Sequence, residues 1–419
     1  MPRPAAPPAG ASGLGGGFAV DRPKEIGGLG SLGQRIDRGG RNATTVRHLM
    51  VEVPKKVNAQ ACVMTRVLRT QPVAVFRPLA VGVAKGLYWD AQVVARDEGW
   101  TMSAGKHVVD PELKAAGELL KAKGLVALSP ATSPIAEARA SLSRISVFLN
   151  QGSVPLERER NITIAGPHGP IPCRLYLPDG VSRPPLIVYA HGGSFCLGDL
   201  DGWDGALREL VRASSVAVLH VDYRLAPEHR FPAAADDMLS VIRAMATSGA
   251  DFGIDPTRLA VGGDSAGANL ALGAALALRD MGGSPLKFLL LTYGAYDTDA
   301  DSPSWHEFGT GAYGLNRAQL PWIWSTYLAS ETQKSDFRVA PLRANMRGLP
   351  PALLTIGTLD PLQDDNHRLL AKLTHAGVPA RLILAEGLNH GFIRYGRLIG
   401  KVRQINAEWG AALRSALAA

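Results

Sequence analysis

The chain has 419 residues, 46% of them hydrophobic and 20% charged, enough for one large α/β domain with a smaller appendage and ordinary for a globular protein with a full core. The formal charge of +8 does not mark a nucleic-acid-binding protein, because residues 1–100 carry 14 Lys+Arg against 7 Asp+Glu and the remainder 31 against 30. Three cysteines, Cys62, Cys173 and Cys196, exclude a disulfide framework or a paired zinc site, so reduced thiols in a cytoplasmic protein are expected.

In chain order, residues 1–45 are rich in Pro, Gly and Ala and lack apolar periodicity, which predicts disorder. No signal peptide is expected, since no continuous apolar core follows the first basic residue. Residues 46–105 form a basic extension whose most apolar stretch, Pro72 to Trp89, is interrupted by Arg77 and Lys85 and falls short of a membrane span. Such a segment suits a weak membrane-surface contact or no folded role at all. Residues 1–101 are expected to contribute little to the fold, with a physiological start near Met102 as the strong form of that expectation.

From Asp110 the pattern changes. Asp110-Pro111-Glu112 supplies an N-cap, a first-turn proline and a first-turn acid, and a second amphipathic run covers Ile135 to Leu149. Residues 106–152 thus read as a helical cap, and 153–419 as the catalytic domain. A β-rich region begins at Ile162, with a strand at Pro172–Leu177. Short apolar runs follow at Leu186–Ala190, Val216–Val221, Leu259–Val261, Phe288–Thr292, Ala352–Ile356 and Ala380–Leu384. Helical patterns lie at Pro232–Thr247, Ala266–Asp280, Arg317–Leu328, Leu362–His375 and Leu398–Leu417. Continuous Val/Ile/Leu runs alternating with helices predict a mostly parallel sheet covered on both faces.

The sharpest chemical signal is Gly263-Asp264-Ser265-Ala266-Gly267, directly after one strand and opening the next helix. A serine on a tight strand-to-helix turn needs small neighbours, and its Oγ then stands above the sheet at the positive end of the helix. One strand pair earlier stands His191-Gly192-Gly193-Ser194-Phe195. Glycines 192 and 193 let backbone N–H groups point at the oxygen of a tetrahedral intermediate, and the N–H of Ala266 completes the set. The acid and the histidine should follow in that order, and Asp360 and His390 each lie just after a strand. Asp297 is the rival acid. Asp364 and Asp365 read as first-turn charges favoured by the helix dipole, His191 as a residue that shapes its loop by side-chain hydrogen bonds, and Cys196 as unreactive.

Together with Tyr223-Arg224-Leu225-Ala226-Pro227-Glu228-His229, Phe231-Pro232-Ala233-Ala234, Asp360-Pro361-Leu362 and His390-Gly391-Phe392, these motifs resemble the hormone-sensitive-lipase-like (bacterial family IV) esterases from about Asp110 to the C-terminus. The resemblance implies an α/β-hydrolase fold with an eight-stranded, mostly parallel sheet, helices on both faces and an N-terminal helical cap. It implies short- to medium-chain acyl esters as substrates, with no metal and no organic cofactor. The oxyanion donors would be the N–H groups of Gly193, Ser194 and Ala266, Ser194 standing where the family commonly has a third glycine. Plant gibberellin receptors, non-catalytic relatives, also carry this serine but look like esterases that lost the catalytic histidine, whereas His390 is present here.

Phe195, Trp305, Phe308 and Trp322 are expected to contribute rings to the acyl pocket, or else to be helix core. The expected activity is a serine carboxylesterase on a small-molecule ester, with no nucleic-acid partner and a homodimer left open. A deacetylase or amidase on an acetylated small molecule, and a ligand sensor on a retired esterase scaffold, are the alternatives.

Overall fold

The computed structural model of the protein describes residues 108–418. The expectations for 1–45, 46–105, Cys62, Pro72–Trp89 and the start near Met102 lie outside these residues. Helices α1 (Pro111–Ala122) and α2 (Ile135–Leu149) come first. Asp110 caps α1, its Oδ1 accepting the N–H groups of Glu112 at 2.9 Å and Leu113 at 3.3 Å, which leaves Pro111 where a missing N–H does no harm.

The sheet follows as β1 (Arg158–Gly166), β2 (Gly169–Leu177), β3 (Leu186–Ala190), α3 (Asp204–Ser214), β4 (Ala217–Val221), α4 (Ala233–Ser248), β5 (Leu259–Asp264), α5 (Ala266–Asp280) and β6 (Leu286–Thr292). After α6 (Pro303–Phe308) and α7 (Leu320–Tyr327) come β7 (Ala352–Leu359), α8 (Gln363–His375), β8 (Ala380–Asn389) and α9 (Gly400–Ala416). The eight strands lie in the order β1-β2-β4-β3-β5-β6-β7-β8. The pairs β1–β2 and β2–β4 are antiparallel, and those from β4 through β8 are parallel.

The central strands read as unbroken apolar runs because both sheet faces are covered. On β3, Leu186, Val188 and Ala190 enter the core layer shared with α4, α5 and α8. Ile187 and Tyr189 enter the opposite layer, shared with α3 and α9. Helix α5 is buried from Ala266 to Leu278, and its Ala- and Gly-rich sequence lets it lie close to the strands. Several elements differ from expectation. Helices α3 and α6 are absent from the predicted set, although Leu207, Leu210 and Val211 line one buried face of α3 at helical spacing. The Arg317–Leu328 run splits into a 3₁₀ turn at Arg317–Gln319 and then α7, with Pro321 in its first turn.

The two N-terminal helices share a small apolar cluster of Leu120, Ile145, Phe148 and Leu149, packed with Tyr395 and Leu398. Arg139 fastens α2 beside the loop after β3. Its Nε donates to the Cys196 carbonyl at 2.9 Å, one terminal nitrogen donates to the Ala226 carbonyl at 3.0 Å, and both donate to Glu228 at 2.8 Å. No helix among the described residues is long and apolar enough to cross a membrane.

Candidate active site

Sheet register brings the predicted residues together. Asp264, the last residue of β5, pairs with Thr292 of β6, and the N–H of Ser265 donates to the Thr292 carbonyl at 2.9 Å. Ser265 then turns into α5 with φ 55° and ψ −120°, a conformation that costs a non-glycine residue about 1–3 kcal/mol. Its flanking glycines are dictated by contact. A Cβ on Gly263 would lie 2.5 Å from the Ala190 carbonyl oxygen, and one on Gly267 would lie 2.0 Å from it.

Asp360 and His390 meet through the last strand pair. A register shift between Gly357 and Leu359 places Leu359 opposite Asn389, so the next residue on each strand stands side by side. The shift requires Gly357, where a Cβ would approach the Leu388 carbonyl oxygen to 2.3 Å. The Ser265 hydroxyl donates to His390 Nε2 at 2.9 Å, and His390 Nδ1 donates to Asp360 Oδ2 at 2.8 Å. Asp360 is fully buried, with Oδ1 accepting the Leu362 N–H at 2.9 Å. The imidazole is steadied by the Tyr293 ring, with centroids 4.7 Å apart, and its backbone N–H donates to the Tyr313 carbonyl at 3.1 Å. A hydroxyl, an imidazole and a carboxylate in this order form a chain that can take a proton from the serine and return it to a leaving group.

The rival acid does not reach the histidine. Asp297 accepts from Arg368 at 2.9 Å. Asp365 is more than a first-turn charge. Its buried Oδ2 accepts the N–H groups of Tyr296 at 2.8 Å and Asp297 at 3.0 Å, and burial pushes its carboxyl up to about 7. Asp364 accepts the N–H of Ser304 at 2.8 Å, tying α8 to α6.

Pairing of Ala190 with Gly263 sets the loop after β3 beside the serine turn. Gly193, Ser194 and Phe195 have φ values of 130°, 52° and 63°, three successive residues in a region that L side chains rarely occupy. Among the described residues, no hydrogen bond engages the N–H groups of Gly193, Ser194 or Ala266, which leaves them free to receive an oxyanion. Gly192 must be corrected as a donor, because its N–H already donates to Asp264 Oδ1 at 3.0 Å. It serves close approach instead. A Cβ there would lie 2.5 Å from Asp264 Oδ2 and 3.1 Å from the Ser265 Cβ.

His191 is fully buried behind this loop, its Nδ1 2.7 Å from the Gly192 carbonyl and its ring stacked on Tyr223 at 4.4 Å. Burial holds its imidazole down to about 4, so it is neutral and shapes the loop. The Cys196 thiol is buried and pushed up to about 12, which keeps it protonated and inert.

The four candidate pocket rings are not brought together. Phe195 stacks on Tyr327 at 3.9 Å and approaches Trp324 at 5.9 Å, while Trp322 of the same helix is half-buried against that layer. Trp305 enters the core layer on the opposite face of the sheet. Phe308 meets Tyr313 edge-on at 5.3 Å. Periodicity could not separate these positions, because neighbouring helical residues face different layers.

The motifs alone did not disclose Asp264. This buried carboxylate collects hydrogen bonds from Tyr189, Gly192 and Trp203, 75, 72 and 61 residues away in the chain, and burial pushes it up to about 6. Arg394, half-buried four residues after His390, lies over the Trp203 ring at 4.8 Å and donates to Ser146 of α2.

Known proteins resemble this chain in sequence and fold. A family model described as the alpha/beta hydrolase fold matches residues 187–394. Esterase LipI of Mycobacterium tuberculosis is 38% identical over 269 residues, 63% of this chain and 83% of its own. Ethyl acetate hydrolase of Pseudomonas putida is 35% identical over 236 residues, 55% of this chain and 73% of its own. A hyperthermophilic esterase from the archaeon Pyrobaculum calidifontis superposes with a TM-score of 0.70 at 32% identity, covering 74% of this chain and 98% of that one. By these relatives the chain belongs to the hormone-sensitive-lipase-like esterases of the α/β-hydrolase fold and is a carboxylic ester hydrolase.

Proposed function

We propose that the chain hydrolyses short- to medium-chain acyl esters of small molecules, with Ser265 as nucleophile, His390 as general base and acid, and Asp360 as the group that orients and charges the imidazole. The unbroken hydrogen-bond chain from Ser265 through His390 to Asp360, 2.9 Å and then 2.8 Å, carries this reading. Ser265 Oγ attacks the ester carbonyl carbon while its proton passes to His390 Nε2. The negative oxygen is received by the N–H groups of Gly193, Ser194 and Ala266, the last also at the positive end of α5. His390 gives the proton to the departing alkoxide, and a water activated by the same nitrogen then releases the acid from the acyl-enzyme.

Residues 106–152 act as a cap and 153–419 as the catalytic domain. Free, buried Cys173 and Cys196 suit a reducing cytoplasm. The balanced charge of residues 101–419 argues against nucleic acid, and the exposed Leu384 on edge strand β8 offers a surface for a homodimer.

The acyl preference rests on Phe195, whose ring is fixed by Tyr327 next to the oxyanion loop, and on the relative named an ethyl acetate hydrolase. Across p-nitrophenyl acetate, butyrate, octanoate and palmitate, kcat/KM for the two short esters should exceed that for octanoate by about tenfold or more, with palmitate lowest. Equal turnover of short and long esters would contradict this preference.

A further inference from the structure

We propose that Asp264 is a positioning residue for the oxyanion loop, its buried carboxylate fixing the backbone at Gly192 so that the next N–H groups face the reacting carbonyl. The proposal rests on the reading of Ser265, His390 and Asp360 as the catalytic residues and extends it to a group that does not touch substrate.

Four segments converge on this side chain. Oδ1 accepts from the Tyr189 hydroxyl of β3 at 3.1 Å, from the Gly192 N–H of the loop at 3.0 Å and from Trp203 Nε1 at 2.9 Å. Oδ2 faces the Tyr293 hydroxyl, after β6, at 3.4 Å. Asp264 is 3% exposed. Three donors on one buried oxygen are best matched by a full negative charge, and charge-assisted bonds of this kind are about twice as strong as neutral ones.

The loop needs such an anchor. The positive φ values at Gly193, Ser194 and Phe195 would relax unless both ends were held. Downstream, the N–H groups of Cys196 and Leu197 donate to the Gly193 carbonyl, and Arg139 grips the Cys196 carbonyl. Upstream, the Gly192 N–H donates to Asp264, the residue that precedes the nucleophile. One carboxylate therefore sets the distance between the attacking oxygen and the oxyanion donors. Trp203 lies between Asp264 and the Arg394 guanidinium, and Arg394 donates to Ser146 of α2, so the same network reaches the cap.

The test compares wild type with Asp264→Asn, an isostere that keeps an oxygen for the three donors but removes the charge. Steady-state constants for p-nitrophenyl butyrate are measured together with Ki for an alkyl trifluoromethyl ketone. Ser265 Oγ bonds to the ketone carbon, its proton moves to His390, and the former carbonyl oxygen sits in the hole as an oxyanion. The concentration of competent sites is titrated with a p-nitrophenyl phosphonate, so that misfolded protein does not count. The proposal expects kcat per titrated site to fall about 10- to 100-fold, KM to stay within about threefold, and Ki for the ketone to rise by the same factor as kcat falls. Unchanged kcat, or a fall in kcat with unchanged ketone affinity, would overturn it.

Should Asp264→Asn give no titratable sites, the double variant Tyr189→Phe/Trp203→Phe decides. It strips two donors from the same oxygen and leaves the charge and the Gly192 contact. Ketone affinity within about threefold of wild type is then expected, and a loss of tenfold or more would overturn the proposal by assigning the loop to the ring donors. Ser265→Ala separates the two readings. Esterase activity surviving in that variant would sink the catalytic assignment, whereas an Asp264 result against expectation beside an inactive Ser265→Ala would sink this proposal alone.

Discussion

Ser265→Ala is expected to lower kcat for p-nitrophenyl butyrate by about 10⁴-fold or more while leaving the fold intact. The variant loses one oxygen, whose hydrogen-bond partner is His390 Nε2. The backbone contacts that build the turn do not involve that oxygen: the Ser265 N–H donates to Thr292, and the Ser265 carbonyl accepts from Ala268 and Asn269. Alanine also fits the space, since Ser265 already carries a Cβ in the same strained conformation. Residual hydrolysis would come from water attacking an ester held in the oxyanion loop, so KM should stay within about threefold. Steady-state kinetics beside a thermal unfolding curve measure both quantities. Retention of more than about a tenth of wild-type kcat would place the nucleophile elsewhere.

Asp360→Asn should lower kcat by about 10³- to 10⁴-fold with little change in KM. In the wild type, His390 carries its proton on Nδ1 and donates it to Asp360 Oδ2, leaving Nε2 to accept from the serine. An asparagine amide presented to Nδ1 favours the other tautomer, in which Nε2 holds a proton and cannot take one. The imidazolium formed during attack also loses its buried counter-charge. Packing is spared, because the retained oxygen can still accept the Leu362 N–H. The comparison with Asp297→Asn makes the result specific. Asp297 is bound to Arg368, so that variant should keep kcat within about threefold. A larger loss from Asp297→Asn than from Asp360→Asn would reverse the assignment of the acid.

Legibility in the sequence followed the range of the forces involved. Strand β3 and helices α2 and α5 match the predicted spans at both ends, since continuous apolar runs and helical periodicity report local burial. Strand β8 runs on to Asn389, well beyond the predicted Leu384, because Glu386 and Gly387 break the apolar run while the backbone still pairs with β7 across a register shift. The edge strand β1 begins at Arg158 amid charged residues for a similar reason, its burial being only partial.

The site divides in the same way. Ser265, Asp360 and His390 were readable because each follows a strand on a motif with its own turn chemistry. Asp264 and Asp365 gain their meaning from groups dozens of residues away. The oxyanion loop misled on Gly192, whose freedom from a side chain is visible in sequence while the partner of its N–H is not. For the four candidate rings the sequence left pocket and core undistinguished. Trp305 and Phe195 are both buried aromatics near the motifs, but they lie in different core layers.

The most direct measurement is the site of covalent capture. The enzyme is treated with a p-nitrophenyl alkylphosphonate, digested and examined by mass spectrometry, with the released p-nitrophenol counted. A single equivalent of p-nitrophenol and a phosphonyl group on Ser265, both lost in Ser265→Ala, are the predicted result. A label on another residue, or full esterase activity in protein whose Ser265 is phosphonylated, would contradict it.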